Sequence, residues 1–168
     1  MSSTNSSTST NSSAIKMPSA ADFMTDSVVT VAPDSDVVEA VEVLTRRRCS
    51  GAPVVDAQGR VVGVLTHECC MRAISGSIFN GEVPGKVDDH MLADFATVGP
   101  EADLFRVVST FRDEDRRLLV VDHDRVVGII TRGEALRALA ALRRLRDART
   151  DLVDIESVAV GWSALTQR

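Results

Sequence analysis

The chain alternates between short runs of apolar residues, many of them valine, and stretches in which apolar residues recur every three or four positions. The runs at residues 28–31, 53–55 and 61–65 are too short for helices and rich in β-branched residues, so they are predicted strands. A helix is predicted between the first two strands, where apolar residues lie at helical spacing: Val37, Val38, Val41 and Leu44.

Polar residues mark the ends of these elements. A side-chain oxygen of Asp34, Ser35 or Asp36 can cap the first helix, and the arginines at 46–48 lie in its last turn, where cations suit the helix dipole. Residues 56–59 form a predicted hairpin turn between the second and third strands. Since Thr66 then begins a second helix, the predicted order is strand, helix, strand, strand, helix.

The same order occurs twice in the chain. R-V-V-G-V-L-T at 60–66 returns as R-V-V-G-I-I-T at 125–131, an offset of 65 residues. P-V-V-D at 53–56 returns as L-V-V-D at 119–122, and T-V-x-P at 30–33 returns at 97–100, at offsets of 66 and 67 residues. In the second copy, residues 122–124 replace the hairpin turn and residues 134–145 form a long amphipathic helix. Neither copy has enough apolar residues for its own core, so we expect the two to pack together, strand face to strand face.

Composition and charge exclude several functional classes. The 168 residues are 44% hydrophobic and 26% charged, with a formal net charge of -5. This acidic balance argues against a nucleic-acid partner, which would require clustered Lys and Arg, and no apolar run of about 18 residues is available to span a membrane. Three cysteines without a secretion signal predict reduced thiols and a cytoplasmic protein.

The repeated order M-T, T-V-x-P, capped helix, G-A-P-V-V-D and G-V-L-T resembles the CBS domain, named after cystathionine β-synthase. Two such domains in tandem resemble a Bateman module. The resemblance implies an α+β fold of two β-α-β-β-α repeats, packed sheet to sheet as a pseudo-twofold pair that dimerises through its helices into a disc. It covers about three quarters of the chain and leaves no catalytic domain, so we expect a free-standing CBS pair that is not an enzyme.

Four segments are expected along the chain. Residues 2–13 contain only Ser, Thr and Asn, so residues 1–19 are predicted to be a disordered Ser/Thr-rich tail. The first repeat is assigned to residues 20–78, the second to residues 79–145, and a C-terminal extension to residues 146–168.

The resemblance also implies two ligand sites, because the family binds adenosine nucleotides in clefts between its repeats. Its motif is Gly, two or three apolar residues, Ser or Thr, two variable residues, and Asp. Residues 128–134 match with Glu134 in the last position, and residues 63–69 match with Cys69 there. In the family, the hydroxyl and the helix N-terminus bind phosphate, and the carboxylate binds ribose. Since a thiol is a poor acceptor, we predict that the cleft at Glu134 binds nucleotide and that the cleft at Cys69 is the weaker site.

Family position assigns residues from both repeats to each cleft. The predicted nucleotide-binding cleft is lined by Gly128, Ile129, Thr131, Arg132, Glu134, Arg117, Asp22, Ser50, Gly51 and Pro53. The weaker cleft is lined by Gly63, Thr66, His67, Cys69, Arg116 and Leu118. Arg117 and Arg132 are the expected phosphate donors of the first cleft, and Arg116 is that of the second.

The resemblance implies a regulatory homodimer that binds AMP, ADP, ATP or a related adenosine compound, requires no cofactor, and signals to an unidentified protein partner. Such a signal requires the ligand to bind two arrangements of the repeats with different affinity. Two alternatives remain: a structural interaction module with degenerate clefts, and a thiol redox or metal sensor that uses Cys49, Cys69 and Cys70. We predict no metal site, because His67 and Cys70, one helical turn apart, supply only two ligands.

Overall fold

The computed structural model of the protein describes residues 16–113 and 117–165, with side chains up to residue 148. The chain divides into two units, one formed by Pro18–Ala140 and the other by Met1–Met17 with Ala141–Arg168. The first unit contains both repeats and both predicted clefts. Most of the predicted Ser/Thr-rich tail lies outside the described residues.

The elements of the first repeat follow the predicted order. The repeat begins with a short helix, α1 (Ala20–Phe23), and continues with α2 (Val37–Arg47), β1 (Gly51–Val55), β2 (Val61–Thr66) and α3 (His67–Asn80). β1 and β2 form an antiparallel hairpin. The strand predicted at 28–31 is reduced to one parallel bridge between Val31 and Val54, because Val31 alone of that run exchanges backbone hydrogen bonds with β1.

The second repeat has the same order with a longer sheet. It contains a 3-10 turn (Val87–Asp89), β3 (Thr97–Val98), α4 (Leu104–Thr110), β4 (Arg117–Asp122), β5 (Arg125–Thr131) and α5 (Arg132–Leu165). The strands lie in the order β3-β4-β5, with β3 parallel to β4 and β4 antiparallel to β5. α5 begins two residues before the predicted start at residue 134, and its part from residue 141 onward belongs to the other unit, where Arg143 Nε lies 3.6 Å from Asp147 Oδ2.

Local hydrogen bonds explain where the helices begin. Asp36 caps α2 by accepting from the Val38 amide at 2.7 Å, which confirms one of the three predicted caps. Asp103 caps α4 in the same way, accepting from the Arg106 amide at 2.8 Å. The predicted hairpin turn is also confirmed, since Asp56 accepts from two backbone amides of the turn.

Each repeat forms the greater part of one core, and each core is completed by residues of the other repeat. The first core contains Leu44, Val54 and Leu65 together with Val87, which belongs to the second repeat. The second core contains Val107, Leu118, Val120 and Ile130 together with Ala20, which belongs to the first repeat. The α+β fold of two repeats is thereby confirmed, while the two cores interleave across the sequence boundary between the repeats.

Two crossing segments, residues 19–25 and 87–92, carry this exchange. Thr25 pairs with Ile129 on β5 through two backbone hydrogen bonds of 2.9 Å, and Leu92 pairs with Val64 on β2 through two of the same length. Each segment places a methionine over a glycine of the strand it meets. A Cβ on Gly128 would lie 2.4 Å from Met24 Sδ, and one on Gly63 would lie 2.6 Å from Met91 Sδ. These glycines therefore make room for the crossing segments.

Within the described residues, none of the helices is both long enough and apolar enough to cross a lipid bilayer.

Candidate functional site

A cleft of about 890 Å³ opens between the two repeats. We call it the Thr66 cleft, after the residue that ends β2 and caps α3. The first repeat contributes Ser50, Gly51, Val64, Thr66, His67, Glu68 and Met71, and the remaining lining residues are residues 91–96, Arg112, Arg117 and Leu119. Thr66 and His67, two of the six residues assigned to the weaker cleft, thus line an open cavity.

Hydrogen bonds hold the start of α3 at the edge of this cleft. Thr66 Oγ1 accepts from the Cys69 amide at 3.2 Å and lies 3.1 Å from Cys69 Sγ. The His67 amide donates to the Ser50 carbonyl at 3.1 Å, and His67 Nε2 donates to the Cys49 carbonyl at 2.7 Å. Because a carbonyl only accepts, Nε2 carries a proton in this arrangement.

Arg117 crosses from the second repeat to the first. It begins β4, and its Nη1 donates to the Gly51 carbonyl at 2.9 Å while its Nη2 donates to Ser50 Oγ. Gly51 lies against β2 so closely that a Cβ there would be 2.5 Å from the Leu65 carbonyl oxygen. Glycine is therefore required for this backbone to approach β2 and to present its carbonyl to the guanidinium.

An ion pair lies at the exposed side of the cleft. Arg112 Nη1 is 2.9 Å from Asp94 Oδ2, and the two side chains are 42% and 86% exposed. Both residues line the Thr66 cleft, together with the acidic Glu68. The cleft therefore combines two guanidinium groups with two carboxylates, so its charge is mixed.

Cys69, the residue at the motif position for the ribose acceptor, lies in the first core and is 2% exposed. Cys70 is also buried, and this burial, followed by the neighbouring Cys69, raises the pKa of its thiol. Cys49 is half-buried, and its thiol donates to the Arg47 carbonyl at 3.5 Å. Among the described residues, no group of three or more His, Cys, Asp or Glu side chains is arranged to hold a metal ion.

Glu134, the predicted ribose ligand of the other cleft, is bonded to the protein through both oxygens. Its Oε2 accepts from the Thr131 amide at 2.6 Å and from Thr131 Oγ1 at 3.0 Å, and its Oε1 accepts from Thr25 Oγ1 at 2.7 Å. Burial opposes ionisation, but these hydrogen bonds outweigh it and hold the pKa of Glu134 below its ordinary value. Thr131 and Glu134 form a capping box at the start of α5. Thr25 of the first crossing segment adds a further hydrogen bond to the Glu134 carboxylate.

The other residues assigned to the Glu134 cleft have varied positions. Arg132 turns away to donate to the carbonyls of Arg112 and Asp113, and Asp22 accepts at 2.8 Å from both the amide and the hydroxyl of Ser19. Pro53 is buried in β1, where its carbonyl accepts from the Val31 amide. Gly128 and Ile129 contact the first crossing segment.

The structure groups some predicted residues differently from the sequence motifs. Ser50, Gly51 and Arg117 were assigned to the Glu134 cleft, and they line the Thr66 cleft beside Thr66 and His67. Gly63 packs against Met91, Leu118 is fully buried in the second core, and Arg116 lies outside the described residues. Sequence reasoning missed Arg112, Asp94 and Phe95, because they lie outside the motifs and no local pattern connects them to Thr66.

The model of the family described as "CBS domain" matches this chain twice, at residues 20–76 and 87–141. Among curated proteins, the uncharacterized protein MJ1225 of Methanocaldococcus jannaschii is 31% identical over 121 residues, which cover 71% of this chain and 42% of that protein. The CBS domain-containing protein YhcV of Bacillus subtilis is 29% identical over 119 residues, which cover 70% and 83% of the two chains. Two further relatives are longer enzymes, of which the chain spans 13% and 24%.

Among solved structures, CBSX2 in complex with AMP superposes with a TM-score of 0.64 at 26% sequence identity, covering 74% of this chain and 98% of that one. The two family matches lie in the same order as the two observed repeats, and each ends within the last helix of its repeat. The chain therefore belongs to the CBS-domain family, as a protein with two CBS domains in tandem.

Proposed function

We propose that this protein is a regulatory ligand sensor that binds an adenosine nucleotide in the Thr66 cleft. One observation carries the proposal: a cavity of about 890 Å³ lies between the repeats, with the motif hydroxyl of Thr66 on its wall. That volume is in the range of small-molecule sites, about 300–1,000 Å³. The complex of CBSX2 with AMP, a protein 26% identical to this one, supports an adenosine compound as the ligand.

The lining of the cleft suits the two ends of such a ligand. Phe95, Met71 and Met91 offer flat or deformable apolar surface to a purine ring. The N-terminus of α3 and the guanidinium groups of Arg112 and Arg117 favour a phosphate group.

The motifs favour the cleft at Glu134 as the nucleotide site, whereas this proposal places the nucleotide in the Thr66 cleft. Thr25 and Thr131 already fill three of the roughly four acceptor positions of the Glu134 carboxylate, so a ribose that bonds through both hydroxyls would have to displace one of these hydrogen bonds. A hydrogen bond to a charged group contributes about 1.5–3 kcal/mol, so a ribose replacing one of them gains little net free energy. We therefore expect one nucleotide per chain, bound in the Thr66 cleft without a carboxylate at position 69.

Screening followed by titration tests the proposal. We expect AMP, ADP, ATP, NAD or S-adenosylmethionine to raise the melting temperature, and calorimetry to give one site per chain. Ala93→Trp should block the cleft, because Ala93 is exposed on its wall. Ser27→Trp is the matched control, since residue 27 is an exposed small residue in the corresponding segment of the first repeat. Equal loss of binding in both variants, or in neither, would contradict the assignment to the Thr66 cleft.

The ligand signal is proposed to pass through a homodimer to a protein partner. The helices α2 and α4 each bury one apolar side and keep further apolar side chains exposed, with Val38 at 40%, Phe105 at 57% and Val108 at 37%. Such surface is typical of a contact with a second subunit. Light scattering should give a dimer mass for the parent and a monomer mass for Phe105→Glu.

An interaction module is the second candidate, and the internal bonding of Glu134 favours it because one motif is then already occupied by protein groups. If none of the five compounds raises the melting temperature of the parent, this candidate takes the lead. The burial of Cys69 and Cys70 and the raised pKa of the Cys70 thiol argue against a redox sensor, since a thiolate is the reactive form.

A further inference from the structure

Arg132, the first residue of α5, contacts the backbone segment of residues 111–113, which follows α4. Its Nη2 donates to the carbonyl of Asp113 at 2.9 Å and to that of Arg112. Its guanidinium carbon also lies 5.8 Å from the centre of the Phe111 ring, within the range of a cation–π contact. One side chain therefore contacts three consecutive residues, 111–113, directly after α4.

The segment held in this way carries Arg112 into the Thr66 cleft. α4 ends at Thr110, so residues 111–113 have no helix of their own to fix them. The Arg112 side chain leaves this segment to line the cleft and to pair with Asp94 at 2.9 Å. Lysine could not replace Arg132 fully, because its ammonium group could donate to both carbonyls but has no planar guanidinium to stack on the Phe111 ring.

A ligand with a phosphate would use Arg112 differently from a ligand without one. Arg112 is paired with a carboxylate that is 86% exposed, so a phosphate inside the cleft can compete with Asp94 for it. The exchange is favourable only if the Arg112 backbone is already fixed, since ordering a long side chain on a loose segment costs free energy on binding. An uncharged nucleoside gains nothing from Arg112 in either case.

We propose that Arg132 is a positioning residue for the Thr66 cleft: by holding residues 111–113 it presents Arg112 and sets the preference for phosphorylated over unphosphorylated nucleosides. This inference rests on the proposed function. It assigns to Arg132 a role that the family motif, which treats this position as variable, does not contain.

Calorimetry with AMP and adenosine tests the inference through the ratio of their affinities. Arg132→Met keeps the length of the side chain and removes its donors, and we expect the AMP-to-adenosine ratio to fall by about 2- to 30-fold. Arg112→Met should lower the ratio at least as much, and Asp94→Asn should raise it by about 2- to 5-fold because it removes the competing carboxylate. Arg137→Met is the matched control, since Arg137 is an exposed arginine on the first turns of α5 that contacts Glu134 at 3.9 Å.

An unchanged ratio in Arg132→Met, with AMP still bound, would overturn the inference and leave the proposed function standing. Arg132→Lys keeps the charge and serves as a second variant in case Arg132→Met fails to fold. Its AMP-to-adenosine affinity ratio should lie between those of the parent and Arg132→Met. If neither compound binds the parent, the proposed function fails by itself. The positioning of residues 111–113 by Arg132 is then tested in the ligand-free protein by the NMR signal of the Arg112 Nε–H group. That signal should narrow and move toward the position of a free arginine in Arg132→Met, and an unaltered signal would contradict the inference.

Discussion

The two motif ends, Thr66–Cys69 and Thr131–Glu134, start from the same local structure and finish differently. In both, a threonine at the end of the last strand bonds to the backbone amide three residues later, at 3.2 Å in the first repeat and 3.4 Å in the second. The fourth residue then separates them. Cys69 enters the first core, and Glu134 turns back to accept from Thr131 and Thr25.

The crossing segments explain this difference. Thr25 and Leu92 occupy corresponding positions, at the repeat offset of 67 residues, and each pairs with the strand that precedes the motif threonine. Thr25 supplies a hydroxyl that satisfies a carboxylate, whereas Leu92 supplies only apolar surface. We infer that the fourth motif residue is matched to the segment that crosses it: a carboxylate is found where the segment offers a hydroxyl, and a buried thiol where it offers none.

Exchanging the fourth residue should have the largest effect on stability. Cys69→Glu places a carboxylate where the native side chain is 2% exposed and no Thr25-like hydroxyl is near, so the free energy of unfolding should fall by about 3 kcal/mol. Adding Leu92→Thr should recover part of the loss by supplying the missing donor. Urea denaturation of both variants and of Leu92→Thr alone gives the coupling energy. A double variant no more stable than Cys69→Glu would show that the crossing segment does not select the fourth residue.

Alanine at the strand glycines should have the next largest effect. Gly128→Ala brings a Cβ within 2.4 Å of Met24 Sδ, and overpacking of this kind costs about 1–3 kcal/mol. Gly63→Ala should be less easily repaired, because its Cβ would also lie 3.0 Å from the Leu92 backbone carbonyl oxygen. Shortening the opposing methionine, Met24→Ala or Met91→Ala, should therefore rescue Gly128→Ala better than Gly63→Ala. Thermal denaturation of the four single and two double variants measures this, and equal rescue would contradict it.

The hydrogen bonds of Glu134 should make the free energy of unfolding depend on pH, an effect that has no counterpart at Cys69 in the first repeat. Because its folded-state pKa is depressed below the unfolded value of about 4.3, Glu134 stabilises the protein above that value, and the contribution is lost as the pH falls through the folded-state pKa. The free energy of unfolding of Glu134→Gln should be about 1–2 kcal/mol lower than that of the parent at pH 7, and the difference should be smaller at pH 3. Cys69→Ser serves as control, with no change in its difference from the parent over this range. A Glu134→Gln difference that is constant with pH would refute the assignment.

The smallest effect is expected at the second hairpin turn. His123 and Asp124 have positive φ angles of 47° and 64°, which glycine adopts more readily than aspartate. Asp124→Gly should raise the free energy of unfolding by about 0.5 kcal/mol. In the first hairpin, Gly59 already has a φ of 79°, so Gly59→Ala should lower stability by about 1 kcal/mol. Denaturant titration of both variants compares the turns, and a loss of stability in Asp124→Gly would contradict this account.

The sequence by itself determined the elements of each repeat, because the interactions that form them are local. The cap at Asp36, the turn bonds of Asp56 and the threonine that precedes α3 all join residues within four positions of one another. The internal repeat added the architecture, since two similar units that cannot bury a core alone must pack together. The family, the α+β fold and the candidate motif at Thr66 therefore followed from the chain alone.

Only the tertiary structure decided which motif lies on an open cleft and what its charged residues contact. Arg117 reaches a carbonyl 66 positions away, Thr25 reaches Glu134 over 109 positions, and Arg132 holds carbonyls 19 and 20 positions before it. A motif specifies a residue type at a position, but whether an arginine or a carboxylate faces a ligand or another part of the protein depends on the groups that folding brings beside it. Glu134 matches the motif better than Cys69 does, yet most of its hydrogen-bonding capacity is already taken by Thr131 and by Thr25 of the crossing segment.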